Sequence, residues 1–166
     1  MRSVFSTRQR RQVWDAERRA AELVSRFYVI APREWQRMAY EVRTLDQLAP
    51  DEITDAALAQ VLCYGVRREV GERVLDERDL YRICVQDHRV LDHASAVPLR
   101  ALMLYVLTHE LVHVVRFGQR LQRLDLDPSL RETEEASVDR TARLILREVA
   151  EPGLGEALER IPAPDA

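Results

Sequence analysis

The chain has 166 residues, 46% of them apolar and 32% charged, and a formal net charge of −3. That length suits one domain with a real core, and an acid-leaning balance without a Lys/Arg-only block argues against a nucleic-acid face, which phosphate neutralisation would make basic. Cys63 and Cys84 are the only cysteines, too few for a disulfide framework, and both read as reduced core thiols.

The residues after Met1 are charged and broken up where a secretory signal needs a continuous apolar stretch, so the chain is expected in the cytoplasm. From Arg8 to Arg26, Val13, Trp14, Ala20, Leu23 and Val24, with Phe27 just beyond, fall on one helical stripe. The arginines there are interleaved with acids, which reads as a solvated face. Trp35, Met38, Ala39 and Val42 predict a second short helix, and Pro50 and Asp51 open a third, running to about Tyr64 before Gly65. Residues 6–64 are thus read as packing helices.

Between Asp79 and Leu91 the period changes: Tyr81, Ile83 and Val85 alternate with Arg82, Cys84 and Gln86, which is strand spacing. Gln86-Asp87-His88-Arg89 then reads as a turn returning through Val90 and Leu91, a hairpin over residues 79–92. Pro98 suits a first helical position, and the helix predicted over 98–117 is apolar almost all round, with Gly118 as its cap. Such a helix belongs at the centre of the molecule. Its apolar run is interrupted by His109, Glu110 and His113 and reads as too short to enter a bilayer, so no membrane insertion is expected. A helix over 130–149 follows, then a loose tail over 152–166. The fold class expected is α+β, mostly helical, in a single domain.

The chemistry lies in Thr108-His109-Glu110-Leu111-Val112-His113. Burying two imidazoles and a carboxylate costs free energy unless something satisfies them. Histidines four apart leave the same helix face and can converge on one ion, and neutral imidazole is a good zinc ligand. Glu110 is rotated by about 100° from His109, beside the metal rather than on it, where a carboxylate can take a proton from water. A catalytic zinc site needs a third protein ligand. Arg116 and Gln119 stand where an extended three-histidine motif would have Gly and His, so that branch is excluded. On the next helix Val138, Ala142, Ile145 and Val149 mark the apolar face, and Glu135 and Asp139 share it. Glu134 falls on a more polar side and is expected in solvent. Glu135 is therefore read as the third ligand, with Asp139 accepting the other ring N–H of a ligating histidine.

These residues, from Thr108 to Asp139, resemble the gluzincin metallopeptidases. The stretch Glu134-Glu135-Ala136-Ser137-Val138-Asp139-Arg140 is similar to one in the HtpX-like group. The resemblance implies a zincin-like core with one zinc per chain, held by His109, His113 and Glu135. Glu110 would be general base and acid, Asp139 a support, and Tyr81, Ile83 and Val85 an edge strand pairing with substrate backbone. Gluzincins usually carry a downstream His or Tyr for the oxyanion; none follows Glu135, and Tyr105, Arg140 and Arg143 are the candidates left. The function implied is hydrolysis of peptide bonds in a restricted protein or peptide substrate through a zinc-activated water. The alternatives are a zinc-stabilised binding module and an IrrE-like regulatory zincin, the latter usually showing Asn where Asp139 stands.

Overall fold

A computed structural model describes residues 2–71, 73–120 and 127–161, with the backbone only for 66–70 and 73–77. It is mixed α+β. Helix α1 spans Thr7–Tyr28 and opens on a capping box, in which the Ser6 hydroxyl accepts from Gln9 N and Gln9 Oε1 accepts from Ser6 N. Its stripe of Val13, Ala16, Ala20, Leu23 and Val24 is buried. Helix α2 is a single short piece, Pro32–Arg37, and strand β1 follows at Tyr40–Arg43. The second predicted helix is thus corrected: Val42 is a strand residue, opposite Ile83 of β3 (Arg73–Val85).

The third predicted helix is also corrected. Pro50–Glu52 forms one 3-10 turn, after which Ala59–Val70 is strand β2, antiparallel to β3. The sheet order is β1-β3-β2, with β1 parallel to β3. The hairpin is therefore made upstream of Tyr81, and Asp87–Ala94 is helix α3 instead of a turn and return strand. Asp87 explains why: its buried carboxylate accepts from Phe5 N and Leu45 N, tying α3 to two distant backbone segments. Tyr81, Ile83 and Val85 are buried in the middle strand. Tyr81 and Ile83 have strands on both sides and form no edge, and Val85 pairs with β2 alone.

Helix α4, Leu99–Gly118, runs through the centre, where every residue from Ala101 to Val115 except His109 is buried. By length and composition it could cross a membrane, so its run is longer than expected, but most of it is buried within the protein. Gly118 is its last residue rather than its cap. A Cβ there would lie 2.2 Å from Met38 Cγ, so glycine lets the end of α4 pass close over that side chain. Helix α5, Pro128–Leu146, and helix α6, Leu154–Arg160, pack on α4. The loose tail is corrected for residues 154–161, because Leu154 and Ala157 are buried; its last part, 162–166, lies outside the described residues.

Candidate metal centre

His109 and His113 leave α4 on one face with ring centroids 5.0 Å apart. Glu135 reaches them from α5: Oε2 lies 3.2 Å from His109 Nε2, and Oε1 lies 3.1 Å from His113 Nε2. One ligand atom from each residue falls within 4.8 Å of the others. Burial alone would push the Glu135 carboxyl up, but hydrogen bonds and charge from the two imidazoles outweigh it and hold the group well below the usual carboxylate range. Two nitrogens and a carboxylate oxygen converging from two helices make a donor set suited to zinc.

Glu110 is buried beside this cluster. Burial raises its pKa, partly offset by the neighbouring imidazoles. Behind His113, Phe117 stacks at 5.9 Å and Tyr81 stacks on Phe117 at 6.1 Å. Tyr81, expected along a substrate, thus backs a ring that backs a histidine.

Helix α5 is held in rotation by its neighbour. Glu134, expected in solvent, is mostly buried and paired with Arg116, which also meets Tyr28 of α1. That ion pair lies next to Glu135 in sequence and keeps the adjacent carboxylate turned toward α4.

Asp139 does not have the partner expected of it. Its Oδ1 accepts from Tyr105 OH at 2.6 Å and its Oδ2 from Arg143 Nε at 2.8 Å. His109 Nδ1 is buried without a hydrogen-bond partner among the described residues. Asp139 is drawn instead to a phenol and a guanidinium, and Arg143 goes on to donate to Leu158 O and Ile161 O. Of the oxyanion candidates, Tyr105 lines the cavity with its hydroxyl committed to Asp139. Arg143 is committed to the chain after α5, and Arg140 is exposed.

The cluster opens into a cavity of about 490 Å³, lined by Tyr105, His109, Glu110, His113 and Glu135, with residues 57–61 along one side. Strand β2 is an outer strand of the sheet, so its start, rather than β3, borders the cluster. This wall was hidden by the reading of residues 50–64 as a helix. Phe117 and Arg131 also line the cavity, and helical spacing could have found both: each lies four residues from a site residue, Phe117 after His113 and Arg131 before Glu135. No protein-family model, curated protein or solved structure matches the chain.

Proposed function

We propose that this chain is a zinc-dependent metallopeptidase with a zincin-like core, acting on a restricted protein or peptide substrate. The observation that carries the reading is the convergence of His109, His113 and Glu135 next to the buried Glu110, at the floor of a cavity bordered by an outer strand. His109, His113 and Glu135 would hold the ion. Bound there, zinc supplies Lewis-acid polarisation of a carbonyl and lowers the pKa of water. Glu110 takes the proton of the attacking water and returns it to the leaving amine. Its burial keeps the carboxylate poorly solvated and so more basic, while the positive charge of a bound cation acts the other way. The start of β2 gives an extended peptide a backbone edge to lie along. A site that only braced two helices would need neither the carboxylate nor the cavity.

Glu110→Gln is expected to keep one zinc per chain and the fold, and to lose hydrolysis by about 10²-fold or more, since an amide of the same shape cannot serve as the base. New protein termini generated in cells by the wild type and by this variant provide the measurement, with zinc measured in both by elemental analysis. Cuts made by the wild type alone support the peptidase. Identical termini with zinc bound in both would favour a zinc-stabilised binding module.

A further inference from the structure

Two side chains that line the cavity are joined to each other behind its wall. Tyr105 lines it from α4, and Ile161 from just beyond the end of α6. The Tyr105 hydroxyl donates to Asp139 Oδ1 at 2.6 Å, Arg143 Nε donates to Asp139 Oδ2 at 2.8 Å, and Arg143 Nη2 donates to Ile161 O at 2.7 Å. Arg143 Nη1 also donates to Leu158 O at 2.9 Å, and the guanidinium carbon lies 5.5 Å from the centre of the Tyr105 ring. The run of bonds leaves the cavity at one side chain and returns to it at another.

Capping alone does not call for this arrangement, because water can satisfy the last carbonyls of a helix. Nor is stability its main return. Asp139 is 2% exposed, and the desolvation of a buried ion pair offsets much of its attraction. A planar guanidinium with each prong engaged does admit one geometry, and here that geometry sets Ile161 against Tyr105 and Val106, which line the same end of the cavity. Tyr105 precedes His109 by one turn of α4, about 6 Å along the helix. This apolar end therefore adjoins the bond that the histidine pair would hold.

We propose that Ile161 is a specificity residue and Arg143 the residue that positions it, so that the end of α6 limits the size of the apolar side chain a bound peptide can carry next to the bond held at the histidine pair. An apolar pocket discriminates by volume, at about tenfold or more for each methylene. Asp139 acts on the cavity wall through Arg143, and not on the metal through a histidine. The effect on turnover rests on the peptidase reading above; the effect on binding does not.

The test uses the full-length, zinc-loaded Glu110→Gln chain, so that bound peptide is not consumed. The probes are two series of fluorescein-labelled hexapeptides, in which one of the two central residues is Ala, Val, Leu, Phe or Trp in turn and the other is Ala. Affinity is read by fluorescence anisotropy. In one series affinity should rise with side-chain size and then fall by about tenfold or more at Trp, and the series that responds shows which side of the bond faces Ile161. Adding Ile161→Ala should recover the Trp peptide by about tenfold and move the optimum to a larger residue, whereas Ile161→Trp should move it to a smaller one. Arg143→Lys keeps a cation beside Asp139 but cannot reach both carbonyls as well. It should flatten the fall at Trp while zinc affinity, read by competition with a chromophoric chelator, stays close to that of the parent. Loss of a hydrogen-bond partner of a ligating histidine would instead cost about 10–100-fold in metal affinity. A profile that is flat or rises through Trp, one that the two Ile161 variants leave unmoved, or no binding by any peptide would overturn the proposal. So would an Arg143→Lys chain with the parent's size preference or with a loss of about tenfold in zinc affinity. If Arg143→Lys does not fold, Asp139→Asn, which keeps the shape and loosens the same arginine, is held to the same two measurements. Turnover of the same peptides with Glu110 intact separates the two readings. Hydrolysis with a size profile indifferent to Ile161 removes the wall and leaves the peptidase; size-limited binding without hydrolysis does the reverse.

Discussion

Val29 ends α1 in the left-handed conformation, φ 55°, and the residue is 84% exposed. A β-branched residue is strained there and gains little burial in return. Val29→Gly should therefore stabilise the protein by about 1 kcal/mol and raise its melting temperature by about 2–4 °C; a lower melting point would mean that glycine's extra freedom in the unfolded chain outweighs the strain. Glu52 shows the opposite economy. Its buried carboxylate accepts from Tyr64 OH at 2.6 Å, from Arg82 Nη1 at 2.6 Å and from Ala49 N at 2.8 Å. The Tyr64 hydroxyl leads, and with the backbone and Arg82 it outweighs desolvation to hold the group at about 2. A carboxyl lowered on folding contributes stability that is fully present above its unfolded value, near 4.5, and is lost as pH falls toward 2. Urea titrations across that window should show the wild type losing roughly 1–2 kcal/mol from this group, allowing for solvent screening. Glu52→Gln, less stable near neutrality, should lose correspondingly less over the same range.

At the level of elements, α6 depends on one arginine. Arg143 spans Asp139, Leu158 O and Ile161 O, so Arg143→Ala leaves a buried carboxylate with Tyr105 alone and uncaps the end of α6. A loss of about 2–4 kcal/mol is expected, and amide hydrogen exchange should speed up in residues 154–161 before it does in α4. The elements that were legible in the sequence were those with an unambiguous period. Val13 to Val24 spell α1, the run from Ala101 to Val115 spells a central helix, and the four-residue spacing of His109 and His113 puts both on one face. Glu135 was legible because Val138, Ala142 and Ile145 fixed the face of α5. Residues 56–64 were not, because Ala56, Ala57, Ala59, Val61, Leu62 and Cys63 fit helix and buried strand alike, and only pairing with β3 decides. Asp87 was hidden for a related reason: its two backbone partners lie far away in sequence. Asp139 was placed correctly on the inner face, but which donor a buried carboxylate meets depends on side-chain packing that no spacing encodes.

For the molecule as a whole, His109, His113 and Glu135 link α4 to α5, so an ion bound by them would act as a cross-link present in the folded state alone. Removing it with a chelator should lower the melting temperature, by an amount corresponding to about 3–4 kcal/mol when free zinc is 100 to 1,000 times its dissociation constant. In His109→Ala, addition of a chelator should produce little further shift. An unchanged midpoint in the wild type would mean that packing along α4 suffices without the ion. The parallel pairing of β1 with β3 is the pairing of the sheet that spans the most chain. Glu41 meets Arg82 across 41 residues of chain, whereas His109 meets Glu135 across 26, and the hairpin of β2 and β3 closes through its own turn at Gly71. Loop closure costs more entropy as the loop lengthens, and contacts distant in sequence tend to slow folding. The helix pair and the hairpin are thus closed by shorter stretches of chain than β1, which lies on the edge of β3 opposite β2. The start of β2 lines the cavity while β1 lies on the other side of β3, so the longest-range pairing of the sheet falls on a part that the cavity does not touch.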